Sequence, residues 1–130
     1  MACTKQVNCV FIVDDDPDIC EVMQMILESR GYQVVTAENG ADALAKLRAG
    51  VKPCIILLDI MMPTMNGIQF RSEQRRDPAL AAIPVVMVSA GGDVVAKAAA
   101  VGLEALLKPV DLGVLLETLE RFGCVPEQMN

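Results

Sequence analysis

The chain has 130 residues, 53% of them apolar, with 17 acidic and 11 basic side chains and a net charge of −6. This describes one globular domain with a true core, since a chain of this size buries roughly two thirds of its unfolded surface. The acidic balance argues against general nucleic-acid affinity, which needs a basic face. The absence of histidine removes Ser-His-Asp and Cys-His catalysis and any His-ligated metal.

Residues 1–7 read as a loose arm. Asn8–Val13 (NCVFIV) is a short apolar run, expected to be a buried strand, and it ends abruptly in Asp14-Asp15-Asp16. Pro17 suits the first turn of a helix over 17–30, with Asp16 or Asp18 as its cap. Along it Ile19, Val22, Met23, Ile26 and Leu27 recur at helical spacing, and Gly31 stops it. Tyr32–Ala37 is a second strand. Gly40–Gly50 is a second helix with Ala43, Leu44 and Leu47 on one face.

Cys54–Leu58 (CIILL) runs without a polar break and fits a strand buried on both faces, ending at Asp59. Pro63 and Asn66-Gly67 then mark a loop. Ile68–Gln74 is a third helix, Pro84–Ser89 a fourth strand and Asp93–Val101 an Ala-rich fourth helix. Ala105–Leu107 is a brief fifth strand before Lys108-Pro109. Asp111 caps a last helix to about Phe122, with Leu112, Leu115, Leu116 and Leu119 inward, and 123–130 are a tail.

Five strands alternating with five helices imply parallel strands joined by right-handed crossovers. The expected fold is α/β, a doubly wound, flavodoxin-like sheet of order 2-1-3-4-5. The whole of 1–130 is read as one domain with its core at about 8–122; with no output domain after Phe122 in this sequence, it is either a stand-alone domain or one excised from a longer protein. Five cysteines, Cys3, Cys9, Cys20, Cys54 and Cys124, are odd in number and form no Cys-x-x-Cys pattern. They read as inert thiols of a reducing compartment. No apolar stretch approaches the roughly 18 residues of a membrane span. The expectation is a soluble cytoplasmic protein.

In such a sheet the carboxyl ends of the strands share one edge, where open α/β sheets bind ligands. Strand one brings Asp14 and Asp15 to it, strand three Asp59, strand four Ser89 and strand five Lys108. Neighbouring strands about 4.8 Å apart crowd these carboxylates. Two bare charges at about 4 Å repel by about 4 kcal/mol at an effective dielectric near 20. Lys108 or a hard divalent cation such as Mg2+ could offset this.

These residues resemble a two-component response-regulator receiver domain. The resemblance lies in VDDD (Val13–Asp16), LLDIMMPTMNG (Leu57–Gly67), VSA (Val88–Ala90) and LLKP (Leu106–Pro109), and spans about 8–122. It implies that Asp59 is a phospho-acceptor, and that Asp14 and Asp15 hold Mg2+, with Asp15 the more direct ligand. It further implies a metal shell completed by Asp59 and the Met61 carbonyl, a switching hydroxyl on Ser89 and a phosphate-pairing ammonium on Lys108. Lys108-Pro109 resembles a bond that the family holds cis. The implied function is a phosphorylation-activated switch, not an enzyme, that takes its phosphoryl group from a histidine kinase or phosphotransfer domain and regulates a downstream partner. A kinase-docking face on the first helix would include Cys20, Gln24 and Leu27. A monomer is expected, without nucleic-acid or membrane binding.

Two other classes compete with this reading. A haloacid-dehalogenase-like phosphatase would use Asp14 and Asp16 as its DxD pair, but wants Thr or Val where Asp18 stands. A degenerate receiver would bind partners without accepting phosphate, yet every type of site residue is present. One departure from the family is Ala105, where an aromatic residue is usual, so the family's aromatic switch is not expected here.

Overall fold

The computed structural model describes residues 8–127 except 61, 63, 91, 92 and 101, and Val94 by its backbone alone. The elements are β1 (Cys9–Val13), α1 (Pro17–Ser29), β2 (Gln33–Ala37), α2 (Gly40–Arg48) and β3 (Ile55–Asp59). They continue with α3 (Gly67–Arg76), β4 (Val85–Ser89), α4 (Val94–Ala100), β5 (Glu104–Leu107) and α5 (Leu112–Arg121). All strand pairs are parallel, in the order β2-β1-β3-β4-β5. The expected fold is the observed one.

Strand alternation builds two cores. Phe11, Val13, Ile56, Leu58, Val85 and Met87 point to one face, where they meet Ala43, Leu44 and Leu47 of α2, Phe70 of α3 and Ala98 of α4. Val10, Ile12, Ile55, Leu57, Val86 and Val88 point to the other, covered by Cys20 and Leu27 of α1 and Leu115 and Leu119 of α5. Both faces of β1, β3 and β4 are therefore buried, which is why these strands read as unbroken apolar runs.

The helix starts are set by side chains. The Asp16 carboxylate accepts from the Asp18 and Ile19 amides, Asn39 from Asp42, Asn66 from Gln69 and Asp111 from Val114. Asn66-Gly67 had read as a turn. It is instead the start of α3, with Asn66 and Gln69 forming a reciprocal capping box. The inward stripe of α1 also differs from the sequence reading. Cys20 and Leu27 are buried, while Val22 is 54% exposed. Positions 20, 23 and 27 share the face toward the sheet, and Val22 lies two residues, about 200°, around the helix from Cys20.

The cysteines depart further from expectation. Cys54 and Cys124 are joined by a disulfide, their Cα atoms 5.6 Å apart across a sequence separation of 70. Cys9 is likewise disulfide-bonded, and Cys20 is a buried free thiol. The 124–127 stretch, read as a loose tail, is docked: the Glu127 amide donates to the Gly31 carbonyl at 2.8 Å. Among the described residues no helix is long and apolar enough to cross a membrane. The 1–7 arm lies outside the described residues.

Candidate functional site

Register alone assembles the site. Val13 of β1 pairs with Leu58 of β3, so Asp14 and Asp59 follow as neighbours on adjacent strands. Asp59 pairs with Val88 of β4, and Ser89 comes one residue later. Ser89 pairs with Leu107 of β5, and Lys108 comes next. Four residues separated by up to 94 positions thus reach one edge because each ends a strand.

Asp14 and Asp59 are buried, at 5% and 6% exposure, while Asp15 is exposed. Carboxylate oxygens of Asp14, Asp15 and Asp59 all lie within 4.8 Å of one another. The Lys108 Nζ donates to Asp14 Oδ2 at 2.7 Å and to Asp59 Oδ2 at 3.4 Å. Burial pulls the Lys108 ammonium down, but the hydrogen bond and charge of Asp14, followed by Asp59, outweigh it and hold its pKa above the ordinary lysine value. One ammonium still faces three carboxylates, so negative charge is left over.

That remainder makes the cluster fit for a hard cation. Its donors are carboxylate oxygens, the ligand type that Mg2+ and Ca2+ take. The nearby sulfur is no competitor. The Cys20 thiol donates to the Asp14 carbonyl at 3.4 Å, and burial, then Asp14 and Asp16, push it up to about 11, so it stays protonated at neutral pH. The Met61 carbonyl, which the resemblance adds to the metal shell, lies outside the described residues.

Local bonding fixes each acid. The Asp14 amide donates to the Ala37 carbonyl of β2 at 3.0 Å, and its Oδ1 accepts from the Asp16 amide at 2.9 Å. The loop after Asp59 is anchored by Gly67, whose amide donates to the Ile60 carbonyl at 3.0 Å. A Cβ on Gly67 would lie 2.8 Å from the Asp59 carbonyl oxygen and 2.9 Å from the Ile60 Cα. Those neighbours are backbone and cannot yield, so only glycine lets α3 start against the end of β3. A second brace went unnoticed in the sequence: the Gly40 amide, opening α2, donates to the Met65 carbonyl at 3.2 Å. The glycine at a helix start was visible, but not that the loop after β3 would land on it.

Ser89 is buried at 4% exposure, and its carbonyl accepts from the Lys108 amide at 3.0 Å. The Lys108-Pro109 bond is cis, as the resemblance implied. Ala105 is half-buried and packs on the α2–α4 side of the sheet. The docking face imagined on α1 fails in part: Cys20 is 8% exposed and Leu27 fully buried, so neither can meet a partner, whereas Val22 and Met25 are exposed.

Known proteins carry the same plan. The family model described as response regulator receiver domain matches residues 10–120. PilH of Pseudomonas aeruginosa is 38% identical over 113 residues, covering 85% of this chain and 93% of that protein. The chemotaxis response regulator CheY4 of Vibrio cholerae superposes with a TM-score of 0.79 at 31% identity, covering 90% of this chain and 99% of that one. A response regulator receiver protein from Pseudomonas putida reaches 0.81 at 29% identity, over 90% and 98% of the two chains. Longer relatives match over only part of their length, the Haemophilus influenzae CpxR homolog over 35%. With the family model spanning both cores and every strand end of the site, the chain belongs to the response-regulator receiver domains, the phosphorylation switches of two-component signalling.

Proposed function

We propose that Asp59 is the phospho-acceptor of this receiver and that residues 8–122 form its core. The observation that carries this is the Lys108 ammonium, shared between Asp14 and Asp59 at the ends of adjacent strands. Phosphoryl transfer is mostly positioning and charge neutralisation, and this arrangement supplies both. An Asp59 carboxylate oxygen attacks the phosphorus of a phosphohistidine on a kinase or phosphotransfer domain. The new O–P bond forms as the P–N bond breaks, and the imidazole leaves as the neutral base once protonated. Lys108 turns from Asp59 to the incoming phosphoryl oxygens while Asp14 keeps it in place. Mg2+ held by Asp14, Asp15 and Asp59 would supply further neutralisation of the phosphoryl charge.

Ser89 then donates its hydroxyl to the phosphoryl group. Ala105 offers no ring to follow it, so the 89–102 stretch, with α4, is the element that shifts. The adjacent Gly91 and Gly92 of that stretch lie outside the described residues. The phosphatase alternative loses support because Asp16, its second acid, is used as the N-cap of α1. The degenerate alternative loses support because all three acids and the lysine converge.

The acceptor test uses acetyl phosphate with Mg2+ and intact-mass measurement. The wild type should gain one phosphoryl group and Asp59→Asn none. Undiminished phosphorylation of that variant would overturn the assignment. Beryllofluoride, a phosphoryl mimic, should move the amide resonances of 89–102, and Ser89→Ala should shrink those changes.

A further inference from the structure

At the opposite edge of the sheet, one covalent bond lies between two open clefts. Cys54 immediately precedes β3, and Cys124 follows α5; the disulfide joins them. A cleft of about 620 Å3 is bordered by Cys54, Pro84, Phe122 and Gly123. A second, of about 440 Å3, is bordered by Cys124, Tyr32, Leu116 and Val125. Both cysteines are buried, at 9% and 1% exposure, yet each borders solvent-filled space.

Beyond the disulfide, hydrogen bonds tie the 124–127 strap back to the domain, among them that of the Cys124 amide to the Leu119 carbonyl at 2.9 Å. The Tyr32 hydroxyl donates to the Cys124 carbonyl at a long 3.4 Å. The Glu127 amide donates to the Gly31 carbonyl at 2.8 Å. Gly31, at φ +92°, leaves the room: a Cβ there would lie 2.5 Å from the Glu127 carbonyl oxygen. The reduced state also has a waiting partner. The Cys54 Sγ lies 3.0 Å from the Cys9 carbonyl oxygen, so a Cys54 thiol could donate there without moving β3.

We propose that Cys54–Cys124 is a reversible thiol–disulfide site, opened by dithiol reductants through these clefts, that latches the 124–127 strap and the end of α5 to the start of β3. One thiolate of the dithiol attacks a sulfur of the pair, breaking the S–S bond and forming a mixed disulfide; the departing sulfur takes a proton. The second thiol attacks that mixed disulfide. Cys54 and Cys124 leave as two thiols, and the dithiol carries away two electrons' worth of oxidation as its own cyclic disulfide. The reverse exchange closes the latch. The proposal does not depend on the role of Asp59.

The test incubates the oxidised, native chain with dithiothreitol, quenches with iodoacetamide and reads each cysteine peptide by mass. Cys54 and Cys124 should become labelled together without denaturant, with Cys9 followed separately on its own peptide. Amide exchange over 119–127 and 30–33 should then quicken by about tenfold or more, while β3 and β4 keep their protection, the pattern of a local opening. Cys124→Ser and Cys54→Ser should each show the fast exchange without reductant. Labelling that needs denaturant overturns the proposal, as does reduction that leaves exchange over 119–127 unchanged.

Discussion

The two edges of this sheet are built on opposite terms. The carboxyl edge gathers Asp14, Asp15 and Asp59 within 4.8 Å of one another against a single ammonium. Among the described residues the amino edge carries no such conflict: a disulfide, backbone hydrogen bonds and apolar packing hold it. Cys54 immediately precedes β3 and Asp59 ends it, so one strand carries both terms. The contrast teaches that stability and reactivity are distributed along a strand rather than shared by it. Like charges destabilise the edge that gathers the acids, and the cross-link offsets that at the other edge. Removing an acid from one edge and the cross-link from the other should therefore change stability with opposite sign.

The largest effect is expected at the amino edge. Closing a loop of 70 residues constrains the unfolded chain by about 4 kcal/mol in the chain-entropy account, and measured losses run about 2–4. Reducing the protein, or replacing Cys54 with Ser, should lower the urea midpoint accordingly. An unchanged midpoint would break the comparison at its stronger end. Next comes Lys108→Met, which strands buried Asp14 and Asp59 without their cation. Removing one partner of a fully buried pair costs about 3–5 kcal/mol; the Lys108 side chain keeps 19% exposure, so about 1–3 is expected. Asp59→Asn should act the other way, relieving repulsion and raising stability by up to about 1 kcal/mol while abolishing phosphorylation. A loss of stability there would mean that the edge is not frustrated.

The same pairing sets a pH dependence. The folded pKa of Lys108 lies above its ordinary value. A raised value of this kind gives stability that is complete below the unfolded pKa, about 10.4, and is lost as pH rises through the folded value. Denaturant titrations in that alkaline window should show wild type falling toward Lys108→Met. Parallel curves for the two proteins would deny the linkage.

Sequence carried the carboxyl edge and missed the amino edge for a physical reason. Asp14, Asp59, Ser89 and Lys108 each end an apolar run, and in a parallel sheet every run ends at the same edge. Linear order was therefore enough to bring them together. The Cys54–Cys124 bond has no such rule behind it. Cys124 follows α5, and its distance from β3 depends on how that helix packs, which no local pattern records. The misreading of α1 has the same root: Val22 and Cys20 both fit an apolar stripe, and only packing against the sheet chose Cys20. Asn66-Gly67 failed differently, because the residues that make turns also cap helices.

The smallest expected effect lies at the brace on the carboxyl edge itself, between the start of α2 and the loop after β3, and it tests whether that loop is positioned from α2. A Cβ on Gly40 would lie 2.8 Å from the Met65 Cγ, and 3.0 Å from both its sulfur and its carbonyl oxygen. Alanine at the start of a helix gains backbone entropy, about 0.4–1 kcal/mol, and overpacking costs about 1–3. The Met65 side chain can swing away, so the net change in stability should stay under about 1 kcal/mol. The carbonyl cannot swing, because it accepts the Gly40 amide hydrogen bond at 3.2 Å. Gly40→Ala should therefore displace the loop carrying Met65 and slow phosphorylation of Asp59 by acetyl phosphate by a few-fold, with little loss of fold. Adding Met65→Ala removes the two side-chain clashes but leaves the carbonyl contact, so the double variant should stay as slow as the single one. The rates are read by intact mass over time, and the midpoints by urea unfolding. If Gly40→Ala phosphorylates at the wild-type rate, the brace is structural only. If the double variant recovers the wild-type rate, the Met65 side chain rather than its carbonyl sets the loop.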